Sequence, residues 1–121
     1  DLLQYALAAD RVDEQVAHLL DPLHPGVVRL LQLIFTSVNA LGIPVTVCGE
    51  MAGDRRCTRL LLALGLRSFS MHPGRILEVK QVITETHIAK AVAALARWRN
   101  LGGQRNEVSL LRLLDQSQTV N

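Results

Sequence analysis

The sequence predicts an α/β fold in which parallel strands are joined by helical crossovers, and it reads as the end of a repeating β/α unit. Three observations predict this. Two short β-prone runs, VTVC at 45–48 and SFSM at 68–71, each lie between segments of helical periodicity, and such alternation implies parallel strands with crossovers. Glycine and proline stand at several of the boundaries, where they break regular structure. With 121 residues, 49% of them hydrophobic, the chain can bury one core and not two. A parallel pair needs cover on both faces and further neighbours. Residues 1–121 are therefore expected to be a single partial domain of a larger fold whose beginning is absent.

The elements follow in order. Residues 2–9, LLQYALAA, are good helix formers in a short piece, and 16–23 make a connector with a helical turn limited by Pro22. His24-Pro25-Gly26 opens a long helix with proline in its first turn. Its apolar positions Val27, Leu30, Leu31, Ile34, Val38 and Leu41 share one face, and Gly42 caps its end. Residues 45–48 then form a short buried strand. Asp54 caps a helix over 55–64 that stops at Gly65. After the second strand, Pro73-Gly74 turns the chain into a helix over 75–84, with Ile76, Leu77, Val79, Val82 and Ile83 at helical spacing. An alanine-rich helix over 88–98 ends at Leu101-Gly102-Gly103. The spacing of Val108, Leu111 and Leu114 predicts a last amphipathic helix over 106–115, and 116–121 is a frayed polar tail.

Composition excludes several classes. The net charge is +2, from 13 basic and 11 acidic residues, which argues against a nucleic-acid binder, although Arg97, Arg99 and Arg105 make one end loosely basic. Two cysteines are too few for a disulfide scaffold and suit a reducing, cytoplasmic compartment. No apolar run reaches the length of a membrane span, and no signal peptide is visible.

Active groups in parallel β/α folds gather where strands end and loops begin, and Cys48 sits at such an end. Gly49 and Gly53 would let the backbone pass close to a ligand. From spacing alone, Cys48 is a nucleophile, a metal ligand, a proton donor or, as free cysteines usually are, a small buried residue. A zinc set of Cys48, Cys57 and His72 fits no standard ligand spacing. Asp1, if it follows a strand, would sit near Cys48 as a carboxylate able to hold Mg²⁺ together with a substrate phosphate; otherwise it is a solvated terminal residue. Asp10-Arg11 reads as a surface ion pair, or Arg11 as a fork for a phosphate or carboxylate.

Three linked motifs carry a resemblance. VCGEMAGD resembles the cysteine signature of the phosphoenolpyruvate-utilising enzymes, DLLQYALAADR resembles their aspartate-bearing segment, and GLRSFSM resembles the segment at their eighth strand. Order and spacing agree over about residues 1–85. GEMAGD followed by FSM is similar to the enzyme I group of the bacterial phosphoenolpyruvate–sugar phosphotransferase system. The pyruvate phosphate dikinase group, the alternative within the family, has His-Gly-Gly in place of Met-Ala-Gly. The run His72-Pro73-Gly74-Arg75 departs from the small Ser-Ala type run usual after Ser-Met.

The resemblance implies the C-terminal part of a (β/α)8 barrel: the loop after strand six, then strands seven and eight with their helices. It implies binding of phosphoenolpyruvate and Mg²⁺, transfer of the phosphoryl group to an enzyme histidine and then to a histidine-bearing carrier protein, and release of pyruvate. Cys48 matches the cysteine that protonates the enolate carbon, Arg11 an arginine on the substrate phosphate, and Asp1 an aspartate that ligates Mg²⁺. None of His18, His24, His72 and His87 matches the phosphorylated histidine. The piece is expected to be inactive by itself and to belong to a homodimer. A non-catalytic association module is the competing reading, since partial barrels expose strand edges and apolar helix faces.

Overall fold

The computed structural model describes residues 1–101 and 107–119. The order is α1 (Leu2–Leu7), a 3₁₀ turn (Ala17–Leu19), α2 (Pro25–Ala40), β1 (Thr46–Cys48), α3 (Glu50–Gly53), α4 (Arg55–Ala63), β2 (Ser68–Ser70), a second 3₁₀ turn (Pro73–Arg75), α5 (Ile76–Thr84), α6 (Ile88–Asn100) and α7 (Glu107–Thr119). β1 and β2 pair in parallel, with Thr46 opposite Ser68, Val47 opposite Phe69 and Cys48 opposite Ser70. The chain is thus a helix-rich α/β unit with a small parallel sheet.

The sheet has two unlike faces because side chains alternate along a strand. Val47 and Phe69 lean on the core. Thr46, Cys48, Ser68 and Ser70 are exposed on the other face, where the Thr46 hydroxyl donates to Ser68 Oγ at 2.9 Å. The expectation of a buried strand at 45–48 is therefore corrected. Helices cover one face, and small or polar side chains line the other.

Caps explain where the helices start. His24 Nδ1 accepts from the Gly26 N–H at 3.1 Å at the head of α2. The same His-Pro-Gly tripeptide recurs at 72–74, where His72 Nδ1 accepts from the Gly74 N–H, also at 3.1 Å. In both, an imidazole nitrogen does the work that a serine or aspartate oxygen usually does at an N-cap. Asp54 takes that role for α4, its Oδ1 accepting from the Arg56 N–H at 2.9 Å.

The core is built around α4. Its Cys57, Leu60, Leu61 and Leu64 pack with Val27, Val28, Leu31 and Phe35 of α2, with Ala91, Ala94, Leu95 and Trp98 of α6, and with Leu110 and Leu114 of α7. The stripe foreseen on α5 is narrower than its spacing implies. Val79 and Val82 are buried, while Ile76 and Leu77, in the first turn of α5, are exposed. Likewise Leu41, placed on the buried face of α2, is exposed where that helix ends. The α6–α7 hairpin docks through an ion pair of Arg59 with Asp115, and Gln118 Oε1 accepts from the His87 N–H at 2.6 Å. These contacts continue α7 to Thr119, so residues 116–119 are helical rather than frayed. Residues 120–121 and the break at Gly102-Gly103 lie outside the described residues, as does Arg105. No helix among the described residues is long and apolar enough to cross a membrane.

Candidate active site

Cys48 is the last residue of β1, and its side chain is exposed on the sheet's uncovered face. The reading of a small buried residue is overturned for Cys48, while Cys57, the other cysteine, is 1% exposed inside α4. The strand's alternation decides this, since a residue two positions from Thr46 shares its face. Directly after Cys48 the backbone turns through Gly49, with φ 85° and ψ −157°. That region is essentially reserved for glycine, so the chain leaves the strand sharply and enters α3.

α3 carries Glu50–Gly53 into Asp54. Gly53 is buried, and a Cβ there would lie 3.3 Å from Arg75 Cγ and 3.6 Å from Met71 Cβ. The missing side chain therefore lets the Arg75 stem lie against this segment. The result is one cleft of about 720 Å³ beyond the C-terminal ends of both strands. One wall comes from Gly49, Glu50 and the Asp54–Arg56 run, the other from His72, Arg75 and Glu78.

Asp1, the N-cap residue of α1, and Arg11, in the turn after that helix, are exposed and are not among the residues that line this cleft. Gln4 ties them together. Its Nε2 donates to Asp1 Oδ1 at 3.4 Å, and its Oε1 accepts from the Arg11 N–H at 3.0 Å. Ala8, in the left-handed region at φ 51°, turns the chain to make this possible. The Asp10 carboxylate accepts from the Val12 N–H at 2.9 Å, in place of the Asp10–Arg11 ion pair foreseen. Sequence reasoning missed Gln4, although the D-x-x-Q spacing at 1–4 is a variant of the capping-box pattern.

Charge in the cleft is organised by Asp54. Burial pushes its carboxyl up, but the Arg56 side-chain hydrogen bond, the Arg56 N–H and the charges of Arg56 and Arg75 together outweigh this and hold it below the usual aspartate range. Arg56 Nη2 lies 2.7 Å from Asp54 Oδ2. A carboxyl whose folded pKa is depressed contributes stability above its unfolded pKa and loses that contribution as pH falls through the folded value. Asp54→Asn keeps an oxygen for the N-cap but not the charge. The wild-type chain should therefore exceed Asp54→Asn in stability near neutral pH, with the gap closing below the aspartate range. Urea midpoints measured across that pH span check it, and a gap independent of pH would refute the role given to the charge.

The fold and site together define an α/β unit with an exposed strand-end thiol next to a polar cleft at the C-terminal edge of its small parallel sheet. The family model described as PEP-utilising enzyme, PEP-binding domain, matches residues 1–88, and the chain belongs to that family. It is 59% identical over 87 residues to a phosphoenolpyruvate-protein phosphotransferase of Cupriavidus necator, covering 72% of this chain and 15% of that protein. It is 41% identical over 90 residues to the protein of the same name from Streptococcus equinus, covering 74% of this chain and 16% of the relative. Another relative of that name, from Haemophilus influenzae, is 41% identical over 91 residues, 75% of this chain and 16% of its own length. The chain thus spans about one sixth of the length of these relatives. α6 from Ala89 onward and all of α7 lie beyond the family match.

Proposed function

We propose that this chain is the C-terminal part of the phosphoenolpyruvate-binding (β/α)8 barrel of a phosphoenolpyruvate-protein phosphotransferase. The observation that carries the reading is the exposed Cys48 thiol at the C-terminal end of a parallel strand whose polar face is uncovered. Parallel sheets are normally covered on both faces. Closure by further strands would turn Thr46, Cys48, Ser68 and Ser70 into a barrel interior and put Cys48 at the mouth where such enzymes work. β1 and β2 then stand as strands seven and eight.

In this reading the phosphoryl group of phosphoenolpyruvate passes to an enzyme histidine outside this chain and then to a histidine-bearing carrier. The enolate left behind takes a proton on carbon: the Cys48 S–H bond breaks, a C–H bond forms, and pyruvate leaves. Arg11 holds the substrate phosphate through its guanidinium fork. Asp1 offers one exposed carboxylate, which fits Mg²⁺, an ion commonly held by one or two carboxylates plus substrate phosphate. Bound there, Mg²⁺ would neutralise phosphate charge during transfer. The Gln4 bond to Asp1 orients that carboxylate. The reading also places the parent enzyme in the cytoplasm, where an exposed thiol stays reduced, and as a homodimer, for which exposed Leu33, Leu41 and Leu77 supply apolar surface.

A chimera tests this. With residues 1–88 in place of the matching segment of the Cupriavidus necator relative, phosphoenolpyruvate-dependent phosphorylation of a carrier protein should persist. Asp1→Asn in the chimera should raise the Mg²⁺ concentration needed for half-maximal rate by at least the roughly 10- to 100-fold seen when a metal's surroundings are disturbed. A folded but inactive chimera, or an unchanged Mg²⁺ requirement, would sink the assignment.

A further inference from the structure

We propose that the cleft beside Cys48 is a phosphate-binding site whose donors are the His72 Nε2–H and the Arg55 guanidinium, separate from the substrate contacts assigned to Arg11 and Asp1. The fixed state of His72 is the first support. Its Nδ1 accepts from the Gly74 N–H at 3.1 Å, and in a neutral imidazole an acceptor Nδ1 leaves the proton on Nε2. The ring is thus held as a donor. His72 is exposed and lines the cleft, so this donor is open to an incoming ligand.

The charges in the cleft are the second support. Of its carboxylates, Asp54 is occupied by Arg56 through side chain and backbone, and Glu78 lies 3.6 Å from Arg75. Glu50 stands exposed at the start of α3. Arg55, the first residue of α4, also lines the cleft and has no ion pair among the described residues. Arg55 and His72 thus carry donors that no carboxylate among the described residues takes up, and Arg75, 3.6 Å from Glu78, adds positive charge to the same wall. A guanidinium with a fixed neutral N–H suits a tetrahedral phosphate better than a lone carboxylate, because three oxygens need donors from more than one direction. The cleft's 720 Å³ admits phosphate or a small phosphate monoester.

His24 supplies an internal control. It makes the same Nδ1 bond to a glycine N–H in the same tripeptide but does not line the cleft. Long-range imidazole NMR spectra of the 121-residue chain should show both rings protonated at Nε2. Titration with inorganic phosphate at fixed pH should shift the His72 ring and Gly74 amide saturably and leave the His24 ring and Gly26 amide unmoved. Arg55→Gln should weaken binding about tenfold or more, the usual loss for a hydrogen bond to a charged group. His72→Asn keeps an acceptor for the Gly74 N–H and removes the donor, so the turn should survive while affinity falls. Titration with pyruvate, which has only a carboxylate, should give much weaker shifts. Equal movement of His24 and His72, or unchanged phosphate affinity in both variants, would overturn the proposal. The readout involves no turnover, so failure of the catalytic assignment would leave it standing.

Discussion

Leu61→Ala is expected to destabilise the chain by about 2–5 kcal/mol, the range for truncating a buried leucine. Leu61 is 0% exposed in the middle of α4. α4 packs against α3, α5, α6 and α7, so a void there is bordered by several elements that cannot all close in together. Domains of this size are stable by only about 5–15 kcal/mol in total, and a loss at the upper end of the range would leave much of the chain unfolded at working temperature. Leu77→Ala is the contrast. That side chain is 81% exposed, and its removal should fall within about 0.5 kcal/mol of neutral. Urea unfolding of the two variants separates the cases. Equal midpoints would mean that α4 is not the centre of the core.

The same helix shows what the sequence made legible. Asp54 and Gly65 bracket it in the sequence, and the helix observed starts just after the aspartate and stops just before the glycine, because a carboxylate cap and a left-handed glycine act locally. The parallel pairing of β1 and β2 was likewise legible from the crossover pattern. What lay hidden depended on partners. The apolar run of 45–48 gives no sign of which face helices will cover, so the exposure of Cys48 could be read only from the pairing register. The length of α7 depended on Arg59 and His87, distant in sequence, which hold Asp115 and Gln118. At the site, the cysteine loop was visible through its glycines. The cleft required Arg75 to fold back over Gly53, a tertiary contact with no local signal. Asp1 and Arg11 were named from resemblance, and the Gln4 bridge between them is a side-chain geometry that no spacing rule states outright.

Cys48→Ala in the chimera with the Cupriavidus necator relative is expected to lower the rate of pyruvate formation by about 10²–10⁴, the usual contribution of a positioned general acid. The thiol is exposed on the sheet's uncovered face, and a methyl group there has no proton to give. Cys48→Ser decides between two roles for the sulfur. A hydroxyl keeps the size and can donate a hydrogen bond, yet it is a far weaker acid than a thiol, so a proton donor should be crippled by it almost as severely as by alanine. A nucleophilic cysteine would instead form a covalent intermediate and show burst kinetics, which mass measurement of the quenched wild-type chimera would reveal. The proton-donor role predicts no such adduct. It also predicts that phosphoryl transfer to the histidine and protonation of the enolate become separable. With Cys48→Ala, the first phosphorylation can proceed while the enolate waits for a proton from water, giving pyruvate with eroded stereochemistry at the new methyl group when isotopically labelled substrate is used. Wild-type rate and stereochemistry in Cys48→Ala would remove Cys48 from the reaction.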